Sequence, residues 1–247
     1  MTSARAGAIA FDLFHTLVDP EEFRPNEFHR PRAAAELLGI PVDRFSAAWE
    51  ASAKDRQVSM SPSVVERVQA LCRGFGVSPP REVWPKVEDI LGRYTDLALL
   101  NPRRNVLDTL QHLRTEGWVL GVLSNCDERE KRPWSSSELA PLFDAAVFSC
   151  EVGFAKPSLE AYQALIPRWG GIPPEDAIFV GDGSNDELAG ARRAGFRKIV
   201  FQSGFVSVNG LRSAAANEKI REQADVTVNG LPDLAGVLPH LGFGANE

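Results

Sequence analysis

The chain has 247 residues, 27 basic and 33 acidic side chains, a net charge of −6, and 44% hydrophobic against 24% charged residues. That is an ordinary globular balance, which excludes a disordered chain, and the length allows one large domain or two of about 100–200 residues each. Mild acidity without a block of lysine and arginine argues against nucleic acid or an anionic membrane as partner, and no apolar run reaches the roughly 18 residues of a membrane span.

The predicted elements follow in chain order. The opening MTSARAGAIAFDLF turns acidic before the apolar stretch of a signal peptide could form. Residues 8–14 are a short apolar run carrying one aspartate, which predicts a buried strand with a polar end. Residues 20–100 contain amphipathic stretches at 31–38, 45–56, 63–75 and 82–99, punctuated by Gly39, Gly74, Gly76 and Pro79-Pro80. Ser61-Pro62 reads as an N-cap followed by proline in the first helical position. From 103 onward helices and strands alternate: helix 103–116, strand 118–123, strand 145–149, helix 158–169, strand 177–180, helix 185–194, strand 197–201, strand 224–228 and helix 231–240. Such alternation predicts an α/β Rossmann-like parallel sheet with helices on both faces. The expected organisation is a core over 1–18 and 101–247, interrupted by an all-helical domain over 19–100. Three cysteines (Cys72, Cys126, Cys150) are far apart and without metal-ligand spacing, a reducing-compartment pattern. A cytoplasmic protein is expected, monomeric or homodimeric.

In open α/β sheets, ligands collect at the carboxyl ends of the strands near the topological switch point. Four places in this sequence put polar residues there. Asp12 ends an otherwise apolar strand, where a carboxylate is costly to bury without a cation or a chemical role; alternatively it forms a turn. Ser124-Asn125 follows the strand 118–123 and could donate hydrogen bonds to an anion, or simply cap a helix. Lys156 precedes Pro157 and a predicted helix start, where it would hold negative charge rather than idle in solvent. Gly181-Asp182-Gly183-Ser184-Asn185-Asp186 ends a strand with one carboxylate and starts a helix with a second, and hard carboxylate oxygens are what magnesium prefers. A loop aspartate plus a helix cap is the plain alternative.

In order and at strand ends, these four motifs resemble those of the haloacid dehalogenase superfamily, and residues 19–100 resemble its inserted helical cap. The resemblance implies that Asp12 is a nucleophile forming an aspartyl intermediate. It implies magnesium held by Asp12, the backbone carbonyl of Phe14 and Asp182, with Asp186 nearby. Ser124 and Asn125 would bind the transferring group, and Lys156 would neutralise it and orient Asp12. The implied activity is a magnesium-dependent phosphatase acting on a small phosphorylated metabolite.

The departure is Phe14. Phosphatases of the superfamily usually carry an aspartate there as general acid and base, whose loss forfeits proton transfer worth about 10²–10⁴ in rate unless another group supplies it. His15 is the adjacent candidate, but neighbouring strand residues point to opposite faces, which favours an ordinary turn histidine. The superfamily's 2-haloacid dehalogenases carry an aromatic at this position and need no magnesium, yet they tend to lose the aspartate matched here by Asp182. Dehalogenation and ligand binding without turnover therefore stand as the alternatives. Specificity is expected within 19–100, from Arg24, His29, Arg30, Arg32, Trp49, Arg56 or Trp84. Cys126 lies close to Ser124, but a small buried hydrophobe explains it as well.

Overall fold

The computed structural model describes residues 7–243, so the first six and last four residues of the expected core lie outside the described residues. The elements run β1 (Gly7–Phe11), α1 (Arg30–Leu38), α2 (Val42–Ala51), α3 (Ala53–Gln57), α4 (Val64–Gly74), α5 (Trp84–Leu100) and α6 (Arg104–Thr115). They continue with β2 (Trp118–Ser124), β3 (Ala145–Phe148), α7 (Ser149–Val152), α8 (Leu159–Leu165), β4 (Ala177–Gly181) and α9 (Glu187–Arg193). The chain closes with β5 (Lys198–Gln202), α10 (Gly204–Val208), α11 (Ala214–Arg221), β6 (Val226–Val228) and α12 (Pro232–Val237).

The six strands form one parallel sheet in the order β3-β2-β1-β4-β5-β6, the α/β arrangement expected. Alternation along each strand builds two cores. Ile9 and Phe11 of β1, with Ile178 and Val180 of β4, face one layer, while Ala8, Ala10, Ala177 and Phe179 face the other. Strand order reverses between β1 and β4, so the loops after these two strands open a crevice at the switch point. Asp12 and Asp182 stand at the two lips.

Helices α1, α2, α4 and α5 pack around a separate apolar cluster that includes Ala35, Phe45, Trp49, Val68 and Leu91. Three details depart from the sequence reading. The N-cap of α4 is Ser63 rather than Ser61-Pro62: Ser63 Oγ accepts from Glu66 N at 3.3 Å, and the Glu66 carboxylate accepts from Ser63 N at 2.7 Å. That reciprocal pair satisfies two N–H groups at once. The stretch 45–56 is interrupted at Ser52, whose Oγ donates to Trp49 O at 2.8 Å and competes with the helix ladder. The expected strand 8–14 stops at Phe11, and residues 13–18 close a turn in which Leu17 N donates to Leu13 O at 2.8 Å.

The charged run after β2 joins this helical layer to the sheet layer. Arg129 Nη1 and Nη2 donate to Asp96 Oδ1 and Oδ2 of α5, each at 2.5 Å, a two-pronged geometry suited to guanidinium. Glu128 Oε1 accepts from Val64 N at the start of α4, at 2.9 Å. Arg129 passes so close to α5 that a Cβ on Gly92 would stand 2.1 Å from its guanidinium carbon. Alanine at 92 favours the helix by about 1 kcal/mol. It also dislodges a buried arginine from its carboxylate, and breaking such a pair costs about 3–5 kcal/mol. Gly92→Ala is thus expected to lower the thermal unfolding midpoint by several degrees, and an unchanged or higher midpoint would show that Arg129 swings aside freely.

Candidate active site

Asp12 is the first residue past β1, buried, with its N–H still donating to Val180 O of β4 at 2.9 Å. Its two oxygens have different partners: Lys156 Nζ donates to Oδ1 at 2.5 Å, and Thr16 Oγ1 donates to Oδ2 at 3.0 Å. Lys156 is buried and also donates to Glu187 Oε2 at 2.6 Å, so one ammonium bridges two carboxylates. Asn125 holds Lys156 by its backbone, donating from Nδ2 to Lys156 O at 2.9 Å and accepting from Lys156 N at 2.8 Å. Both ends of the Asn125 amide are therefore engaged in placing Lys156 rather than directed at the transferring group, the role that the resemblance implies. Ser124 closes β2, fully buried, and its Oγ has no hydrogen-bond partner. An unpaired buried hydroxyl is costly, and an anionic ligand is one way to satisfy it.

Asp182 follows β4 and is buried, accepting from Ser184 N at 3.0 Å and Ser184 Oγ at 2.8 Å. Arg212 donates to its Oδ2 at 2.7 Å and to its backbone carbonyl at 2.5 Å. Asp186 does not join this group. Asn185 and Asp186 both take the left-handed conformation, each at φ 53°, so α9 starts at Glu187 rather than at 185. Asn and Asp tolerate that region better than most residues. The result turns Asp186 to the surface and buries Glu187, whose Oε1 accepts from Gly183 N at 2.9 Å. A Cβ on Gly181 would sit 2.3 Å from the Glu187 carboxylate, so only glycine at 181 leaves room for it.

Ligand oxygens of Asp12, Asp182 and Glu187 lie within 4.8 Å of one another. Burial pushes the Glu187 pKa well above the usual carboxylate range, with Asp12 and Asp182 adding to the rise and Lys156 opposing it. Burial likewise raises Asp12, against the pull of Lys156. Burial works against the charge on Lys156, but Asp12 and Glu187 outweigh it and hold the ammonium protonated above its ordinary range. Three buried carboxylates thus face two cations, Lys156 and Arg212, and hard oxygen donors so close together suit a divalent ion.

Phe14 and His15 both line the cavity of about 230 Å³ beside Asp12. His15 is a turn residue, as expected, left-handed at φ 61°, but the opposite-face argument does not hold, because the strand has already ended. Its Nδ1 lies 3.7 Å from Asp19, which with Asp182 and Asp12 raises the imidazole pKa against the effect of burial. Among the expected specificity residues, Arg30 reaches the cavity; Trp49 lies in the helical core, and Arg56 stacks on it at 3.7 Å. Arg24, His29 and Arg32 are exposed, and Trp84 packs half-buried on the helical core. Cys126 is buried beside Cys150 in the apolar layer, the hydrophobe reading. No helix among the described residues is long and apolar enough to cross a membrane.

Glu187 and Arg212 were not legible in the sequence. Glu187 left one signal, a second acidic residue directly after Asp186, while Arg212 lies in a stretch without a recognisable pattern.

A family described as haloacid dehalogenase-like hydrolase matches residues 6–195, and the chain belongs to it. It is 26% identical over 241 residues to the glyceraldehyde 3-phosphate phosphatase of Methanocaldococcus jannaschii, covering 94% of this chain and 97% of that one. The crystal structure of a HAD phosphatase from Thermococcus onnurineus matches with a TM-score of 0.64 at 22% identity, covering 94% of this chain and 97% of that one. The L-2-haloacid dehalogenase from Xanthobacter autotrophicus with chloropropionic acid covalently bound matches at 0.58 and 15% identity, covering 94% and 98%. At these identities the two structures show a shared fold.

Proposed function

We propose that this hydrolase is a phosphatase that cleaves a small phosphorylated metabolite, such as a triose phosphate, through an aspartyl-phosphate on Asp12. The observation that carries the reading is the placement of Asp12: a buried carboxylate oriented from both sides by Lys156 and Thr16, with Asp182 and Glu187 alongside. The full-length likeness to a glyceraldehyde 3-phosphate phosphatase supports the substrate class. Helices over 19–100 serve as the cap over the site.

An Asp12 oxygen attacks phosphorus as the bond to the ester oxygen breaks, and the alkoxide leaves with a proton from water or from the substrate, since Phe14 can supply none. Water then attacks phosphorus, releases Asp12 and yields inorganic phosphate. Lys156 keeps Asp12 ionised and oriented and offsets charge on the phosphoryl oxygens, to which the free Ser124 hydroxyl donates. Magnesium held by Asp12, Asp182 and the carbonyl of Phe14 would screen the repulsion between carboxylate and phosphoryl oxygens. Glu187, bonded to Lys156, rather than the exposed Asp186, is the further carboxylate beside the metal position.

Retention of Asp182 in the carboxylate cluster favours this reading over dehalogenation, despite the aromatic Phe14. Phosphate release from glyceraldehyde 3-phosphate is expected with magnesium and is lost with EDTA. Metal-independent halide release from 2-chloropropionate would support the dehalogenase instead, and tight phosphate binding without turnover would support a binding protein.

A further inference from the structure

The cavity wall carries two permanent cations among its described residues, Lys156 and Arg30. Lys156 serves Asp12 and Glu187. Arg30 is the first residue of α1, where a positive side chain opposes the helix dipole, so its place there calls for another cause. Its guanidinium donates from Nη1 to Glu130 Oε1 at 3.0 Å and stacks on Tyr94 at 4.0 Å from the ring centre. Glu130 is itself anchored, since its Oε2 accepts from Asp127 N at 3.1 Å. Arg30, Glu130 and Tyr94 all line the cavity. Glu21, a further carboxylate on the wall, is paired with Arg24 at 2.5 Å.

We infer that the Arg30–Glu130 pair selects the substrate class of this site: phosphoesters whose remainder carries hydroxyl or carbonyl groups are accepted, and those bearing a second anion are rejected. The inference rests on the phosphatase reading and deepens it. A carboxylate entering this half of the cavity finds its natural partner, Arg30, already neutralised, and Glu130 repels it. Binding there requires either breaking the pair or placing two carboxylates against one guanidinium, both unfavourable at a pair whose side chains are only 15% and 21% exposed. A hydroxyl or carbonyl meets no such repulsion, and the Tyr94 and Gln57 side chains offer it uncharged polar groups. Arg30 Nε, buried and without a hydrogen-bond partner, can also donate to a neutral oxygen.

The test separates binding from turnover by using two unreactive ligands of equal chain length, 3-hydroxypropylphosphonate and 3-phosphonopropionate, titrated calorimetrically into the protein with magnesium. Wild type is expected to bind the hydroxyl ligand about tenfold more tightly, a single modest electrostatic contact. Glu130→Gln is expected to narrow that ratio by about tenfold or reverse it, through the carboxylate ligand, with the hydroxyl ligand changing less than about threefold. Adding Arg30→Gln to it removes the gain. Should Glu130→Gln fail to fold, Arg30→Gln alone is expected to weaken the carboxylate ligand more than the hydroxyl one, which loses only the Nε contact and not a counter-charge; equal weakening of both overturns the inference. A wild-type preference for the carboxylate, or an unchanged ratio in folded Glu130→Gln, overturns the inference. The expected binding ratio with no hydrolysis of any phosphomonoester supports the inference and overturns the phosphatase reading. Turnover of glyceraldehyde 3-phosphate with binding of neither phosphonate overturns the inference alone.

Discussion

Asp12→Asn is expected to reduce phosphate release by on the order of 10³-fold or more, because an amide cannot attack phosphorus or accept the phosphoryl group. The substitution keeps the shape and an acceptor for Thr16 Oγ1 or Lys156 Nζ. It also removes one of three crowded carboxylates and leaves Lys156 paired with Glu187. The fold should consequently be as stable as wild type or more so. Steady-state phosphate release and thermal unfolding measured side by side check both halves. A variant retaining a tenth of the wild-type rate would place the nucleophile elsewhere.

Lys156→Met is expected to damage both activity and stability. Loss of one preorganised charge aimed at the reacting group costs on the order of 10²–10³ in kcat. Methionine fills similar volume but leaves Asp12 and Glu187 buried without their shared cation, a loss of about 3–5 kcal/mol at neutral pH. The pH dependence has a definite sign. Without Lys156 the folded-state pKa values of both carboxylates rise further, so the folded protein binds protons that the unfolded chain does not. Stability of the variant relative to wild type therefore improves as pH falls from about 8 towards about 5, and worsens on the way up. Unfolding midpoints across that range test this; a constant difference would mean that Lys156 does not neutralise those carboxylates.

Much of the site was legible because its residues follow strands. The apolar runs ending at Asp12, Ser124 and Asp182 mark strand ends locally, and parallel strands bring those ends to one edge of the sheet. The roles were less legible than the positions. Asn125 could be placed beside the site from its neighbours, but its two bonds to the Lys156 backbone span 31 residues. Asp186 and Glu187 are adjacent, and the choice between them depended on a left-handed pair of residues at the start of α9 that periodicity does not report. The same limit misjudged which way His15 faces, though not its place in a turn, since alternation of faces applies only while the strand lasts.

By itself the sequence determined the α/β class, the strands that carry Asp12 and Asp182, and the chemical types gathered at their ends. These follow from side-chain periodicity and from glycine and proline punctuation, which act over a few residues. Tertiary structure alone decided that Glu187 shares Lys156 with Asp12, that Arg212 holds Asp182 from 30 positions away, and that Arg30 meets Glu130 across 100 positions. Charge pairs of that kind form when packing of separate layers brings two loops together, and nothing in the local pattern around either partner encodes the other.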